Sequence, residues 1–166
     1  MKGFIIISAL LLTILQLKAQ NHIDGFLHDL SIENFKLNST LNDLKKDEIL
    51  NKNLVFYDKN GDISSYQLFK INNVFITKTY GFEGARFYFK KDTLVRIEFS
   101  KFNDSDDKLF EKTYAQLKAK YGESHIRLSA KNKLYKSYEW RYKDDYLIAM
   151  PLKTSFMIIY GNKFEK

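Results

Sequence analysis

The strongest constraint on this chain is a recurring alternation of β-branched and aromatic residues with polar ones, cut into short segments by turn signals. "ISSYQLFK", "VFITKTY", "ARFYF" and "TLVRIEFS" are punctuated by Asn60-Gly61, Asn72-Asn73, Gly81 to Gly84 and Lys90 to Asp92. A second set, "SHIRLS", "KLYKSYEWRY", "YLIAM" and "SFMIIYG", has tight turns at Lys143 to Asp145 and Leu152 to Thr154. Side chains that repeat with a period of two belong to pleated strands with one buried face, and strands joined by tight turns pair antiparallel. "LVFYD", ahead of the first set, is a further candidate strand.

Helical spacing interrupts this pattern in three places. Ile23, Phe26, Leu27 and Leu30 suggest a short first helix. "NSTLNDLKKDEIL" then offers Thr40 as N-cap with Asp43 three residues on, the pairing that satisfies free amides at a helix start, and predicts a helix over roughly 40 to 50. "SDDKLFEKTYAQLKAKYG" is the clearest helix. Phe110, Tyr114, Leu117 and Tyr121 form its apolar stripe, Asp106 and Asp107 its first turn, Lys118 and Lys120 its last, and Gly122 its stop. The order predicts an α+β fold of two tandem helix-then-antiparallel-sheet units, 20–102 and 103–166, with helices on one face, in one compact domain.

Three stretches carry a resemblance. "ENFKLNSTLNDLKK" resembles the opening of repeats in the superfamily of beta-lactamase-inhibitor-like proteins and outer-membrane-assembly lipoproteins, with Asn38 in the place of a glycine. "FYFKKDTLVRIEFS" is similar to that group's hairpin, F-x-x-x-x-L-x-x-I-x-F, and "LKAKYGES" to its helix-to-strand passage, without the proline that usually closes it. The resemblance implies a binding protein, inhibitor or assembly factor and no enzymatic activity.

The N-terminal "MKGFIIISALLLTILQLKAQ" has the form of a secretory signal peptide, with Lys2, an apolar run from Phe4 to Leu15 and a polar exit through Ala19. That run is short of the roughly 20 residues a spanning helix needs, so cleavage near Ala19 and a periplasmic or extracellular product that does not span the membrane are expected. Removal of 19 residues from 166 leaves 147, with 25 basic against 20 acidic residues, a balance of +5. An exported basic protein meets other envelope or secreted proteins rather than nucleic acid. The absence of cysteine excludes disulfides, thiol catalysis and thiolate-bound zinc.

Candidates for chemistry are few. His22, Asp24 and His28 make an incomplete metal set near the start of the processed chain. Cleavage before Gln20 would create a Gln20-Asn21-His22 terminus with the nitrogen donors Cu(II) and Ni(II) favour, unless the glutamine cyclises. Glu123, Ser124 and His125 are adjacent in sequence but have no G-x-S-x-G elbow to make a triad. "DKNGD", with Asp58, Asn60 and Asp62 alternating, has its glycine one place early for a calcium loop and Phe69 in place of the acidic twelfth ligand, so a hairpin turn is expected. Asp92-Thr93-Leu94 matches an O-glycosylation tripeptide of some exported bacterial proteins. No catalytic residue, cofactor or metal is assigned, and no enzymatic role is expected.

Parity selects the surface instead. In "RFYFKKDTLVRIEFSKF", Phe87 and Phe89 share one face with Val95, Ile97 and Phe99 if Lys90, Lys91 and Asp92 form a three-residue loop. Arg86, Tyr88, Arg96 and Glu98 then point outward. In "YEWRY", Tyr138, Trp140 and Tyr142 take the core face, or line a ligand concavity, and Glu139 and Arg141 take the other. Arg86, Tyr88, Arg96, Glu98 and Arg141 are therefore the expected partner-binding residues of an open sheet face. The alternative is a carrier of a small apolar or lipid ligand in an aromatic-lined cavity.

Overall fold

A computed structural model of the chain describes Ile23, Phe26 and residues 36–69, 82–102, 108–128 and 136–163. The signal segment, the His22, Asp24 and His28 set, the Gln20 terminus, "VFITKTY" and Asp106-Asp107 lie outside the described residues.

Among the described residues, eight strands form one sheet: β1 (Val55–Asn60), β2 (Ile63–Phe69), β3 (Gly84–Lys90), β4 (Thr93–Phe102), β5 (His125–Leu128), β6 (Lys136–Tyr142), β7 (Asp145–Pro151) and β8 (Ser155–Asn162). Every neighbouring pair is antiparallel, in the order β1-β2-β3-β4-β8-β7-β6-β5. Helices are short and secondary: α1 (Leu41–Leu44), α2 (Glu48–Asn53) and α3 (Lys108–Tyr121) among the described residues. The expected α+β arrangement of two tandem helix-then-sheet units is therefore corrected to one continuous, β-rich antiparallel sheet. The reason lies at the join: β4 and β8, the last strands of the two meanders, pair in register from Arg96↔Gly161 to Phe102↔Ser155, so neither meander ends as a separate sheet.

One face of the sheet is the core. Phe87 and Phe89 on β3, Ile97 and Phe99 on β4, Phe156 and Ile158 on β8, and Leu147 and Ala149 on β7 are buried together. Leu44 of α1, Leu50 of α2, and Phe110, Leu117 and Tyr121 of α3 cover them, as do Ile23 and Phe26. Phe82 stacks on Phe99 at 5.4 Å and meets Phe156 edge-on at 5.8 Å, so the core runs without a break across the β4–β8 join. Each such aromatic pair contributes about 0.5–1.5 kcal/mol beyond area burial.

Helix α3 follows its sequence closely. It stops at Gly122, whose φ of +81° is a conformation that glycine enters without steric cost. The Trp140 indole donates to the Gly122 carbonyl at 2.8 Å, tying the helix end to β6. The expected helix over 40 to 50 is instead two pieces, because two residues compete to cap it. Thr40 starts α1 with the full capping box, accepting from the Asp43 amide at 3.1 Å while Asp43 accepts from the Thr40 amide at 3.0 Å. Asp47 then accepts from the Leu50 amide at 3.0 Å and restarts the helix as α2.

The β3–β4 hairpin also differs from expectation. Its loop is two residues, Lys91 and Asp92, both at positive φ (48° and 66°), between the paired Lys90 and Thr93. The register shift this creates is absorbed by a bulge: Tyr88 pairs with Arg96 and Phe89 with Leu94, leaving Val95 as the extra residue. Leu94 rather than Val95 takes the core position beside Phe89, and parity is restored for Ile97 and Phe99. In the β1–β2 hairpin, Gly61 at φ +60° occupies the first loop position, so "DKNGD" is a turn.

Asn38 sits at φ +74°, where asparagine is among the better-tolerated side chains. Its amide donates to the Leu94 carbonyl at 2.9 Å, and its side-chain oxygen accepts from buried Asn162 on β8 at 3.2 Å. The α1–α2 segment is thereby anchored on both strands of the join.

The capping box gives a pH-dependent prediction. Hydrogen bonds from Lys46 and from the Thr40 amide and hydroxyl hold the Asp43 carboxyl well below its ordinary value of 3.8. Because the folded value is depressed, its stabilisation is present above 3.8 and is lost as pH falls through that value toward the folded one. Thr40→Ala should cost about 1 kcal/mol in urea unfolding at pH 7. The gap from wild type should narrow when the same comparison is made below pH 3.8.

Candidate functional site

The buried apolar helix side chains among the described residues join the core on one face, and the opposite face carries the charged and aromatic residues that alternate with it. Strand registers place these residues in two rows across the sheet. One row runs Ser65, Tyr88, Arg96, Gly161, Tyr146, Arg141; the next runs Gln67, Arg86, Glu98, Ile159, Ile148, Glu139, His125.

Four of the five expected residues come together on β3 and β4. The Tyr88 phenol donates to Glu98 Oε2 at 2.6 Å, and the Arg96 guanidinium lies over the Tyr88 ring at 3.8 Å while meeting Glu98 Oε1 at 3.4 Å. Arg86 approaches the Tyr88 hydroxyl at 3.5 Å and lies under the ring of Tyr57 at 3.9 Å. Tyr57 is the extra residue of a bulge in β1, between the paired positions Phe56 and Asp58. Arg96 and Glu98 keep only 24 % and 15 % of their side-chain exposure, so these long side chains are already fixed. Gln67 Oε1 and Arg86 Nε, on cross-strand neighbours, are buried with no hydrogen-bond partner among the described residues, a local cost of about 1–3 kcal/mol each.

Arg141 is not in that cluster. It belongs to a second one, centred on a residue that parity placed outward but did not single out. Glu139 is a carboxylate with 4 % exposure, and it meets Arg141 Nε at 2.8 Å and Arg127 Nε at 2.9 Å. Both arginines are more than half exposed, at 53 % and 55 %, so much of each guanidinium still faces solvent. His125 is the cross-strand partner of Glu139, whose two carboxylate oxygens each meet one guanidinium.

A groove of about 480 Å³ lies over this part of the sheet, lined by Arg96, Arg127, Glu139, Arg141, Tyr146 and Lys163 above a floor of Ile148 and Ile159. Gly161 makes room for the Tyr146 side chain. A Cβ there would stand 2.5 Å from the Tyr146 hydroxyl and 3.1 Å from the Val95 carbonyl, so the phenol crosses β8 only because position 161 has no side chain. Nothing in the local sequence marks Tyr146, Gly161 or Arg127. Their signal is strand register: Tyr146 faces Gly161 across the β7–β8 hairpin, and Arg127 reaches Glu139 through the pairing of β5 with β6.

Of the "YEWRY" aromatics, Tyr138 and Trp140 lie on the core face against α3, with Tyr114 4.3 Å from Tyr138 and 6.0 Å from Trp140, ring centre to ring centre, and Tyr142 packs partly buried against the core. Thr93 of the glycosylation tripeptide bridges to Thr40, and Leu94 is fully buried. Among the described residues, no cluster of three or more histidines and carboxylates could hold a metal ion, and no helix is long and apolar enough to cross a membrane. Comparison with protein-family models, with characterised proteins and with solved structures returns no match.

Two outcomes test this geometry. Burial and the bond to Glu98 raise the Tyr88 phenol above its ordinary value of 10. A spectrophotometric titration of wild type minus Tyr88→Phe should therefore show one phenol ionising above pH 10, and the stabilisation tied to it persists below that value and fades as pH rises through the folded one. Gly161→Ala should expel the Tyr146 ring from β8 at a cost of about 1–3 kcal/mol, the range for overpacked positions, measured by thermal unfolding and by the shift of the Tyr146 ring resonances.

Proposed function

We propose that the chain is an exported, non-enzymatic interaction module of inhibitor, immunity or envelope-assembly type, and that it grips another envelope or secreted protein with the sheet face opposite its helices. The observation that carries this reading is the fixing of Arg86, Tyr88, Arg96 and Glu98 into one hydrogen-bonded, stacked array on that face. Tyrosine and arginine dominate the energetics of protein interfaces, and a side chain already held in place has less freedom to lose when a partner docks. The groove beside the array adds a concave surface with aliphatic floor and charged walls, the layout of an interface core and rim. Export rests on the N-terminal signal-like segment, and the module class rests on the resemblance to beta-lactamase-inhibitor-like and outer-membrane-assembly repeats.

The test is affinity capture from an envelope fraction with the processed chain, wild type against Tyr88→Ala/Arg96→Ala. A specific partner should be retained by wild type and reduced at least tenfold by the double variant, given that each interface hot spot is worth about 2 kcal/mol or more. Equal retention by the two proteins removes this array from the interface.

A further inference from the structure

We propose that Arg127 and Arg141, held apart and oriented by Glu139, form a receptor for a side-chain carboxylate on an acidic, partly apolar segment of the partner protein. This deepens the open-face reading and rests on it. The feature behind it is one carboxylate serving two guanidiniums: Glu139, at 4 % exposure, accepts from the Nε of Arg141 at 2.8 Å and of Arg127 at 2.9 Å, so it meets a guest through the arginines rather than directly. The arginines are half exposed. A guanidinium is a planar fork of five donors, so contact through Nε fixes its plane while the outer nitrogens stay presented to solvent.

Charge selects the guest. Two guanidiniums and one carboxylate carry a net charge of +1, which a single carboxylate neutralises. A phosphate dianion would bring a larger charge close to Glu139 and to Asp144, which also lines the groove and is paired at 3.1 Å with Lys163. The floor beside the arginines is Ile148 and Ile159, which favours aliphatic neighbours of the acidic residue over further charges. Glu139 is a positioning residue: it acts on the guest only through the arginines.

The experiment is an NMR titration of the ¹⁵N-labelled full chain with an acetylated, amidated Glu-Val-Glu-Val-Glu peptide, following the arginine Nε–H resonances. Those of Arg127 and Arg141, identified by their loss in single Lys variants, should move together to saturation. Arg127→Lys/Arg141→Lys keeps the charge but not the fork and should bind at least tenfold more weakly. Glu139→Gln is the decisive variant, because it raises the net charge by one. Unspecific attraction predicts tighter binding, whereas orientation by Glu139 predicts binding several-fold weaker. Should Glu139→Gln unfold, the lysine pair, in which the Glu139 charge remains compensated, carries the test alone. The assignment is overturned if the peptide leaves both resonances unmoved, if Glu139→Gln binds more tightly, if the lysine pair binds as well as wild type, or if inorganic phosphate saturates the site at lower concentration than the peptide. Any of these with capture intact leaves the wider open-face reading standing, while loss of capture with the peptide still bound would count against that reading alone.

Discussion

The pairing of β4 with β8 is the interaction on which the rest of the molecule depends. It converts two four-stranded meanders into one sheet, and it places Ile97 opposite Tyr160 and Phe99 opposite Ile158 in the same buried layer. Phe82 then packs against residues of both halves, so the join is secured by shared side chains as well as by the ladder. The Asn38–Asn162 hydrogen bond adds a third tie, from the helical segment. Since every strand next to the join has one face in this core, the opposite face is continuous too.

That continuity organises the charges. On one row the two isoleucines of β8 and β7 lie between Glu98 and Glu139, and on the next Gly161 and Tyr146 lie between Arg96 and Arg141. Each carboxylate is held by arginine, and Glu98 by tyrosine as well. Carboxylates this deeply buried persist only when paired, and the pairing fixes where the guanidiniums stand. The face is polar in composition but rigid at its charged positions.

Local chemistry was readable in the letters. Period-two alternation located the strands, the Thr40–Asp43 box and the Gly122 stop marked helix ends, and parity put Arg86, Tyr88, Arg96, Glu98 and Arg141 on the outer face. What was not readable depends on neighbours distant in sequence. The choice of β8 as partner for β4 has no local signature, and so the tandem-unit architecture was the wrong extrapolation from the strand pattern. The Lys91-Asp92 turn lacks the glycine that usually announces a two-residue loop, which hid both the turn and the compensating bulge at Val95. Asp47 lies inside the run expected to form one helix, and its side chain accepts from the Leu50 amide and restarts the helix there. The Arg127–Glu139 contact exists only through the β5–β6 register.

The strand order also has a consequence for how the molecule is made. A ribosome delivers β1 to β4 well before β8, and the intervening helix and three strands must emerge before the β4 edge can be closed. Until then the longest strand of the sheet offers unpaired amides and carbonyls beside a row of large apolar side chains, the combination that invites pairing with other chains. The nascent protein therefore carries an association-prone edge in the middle of its own future sheet, and the final strand is what takes that edge out of circulation.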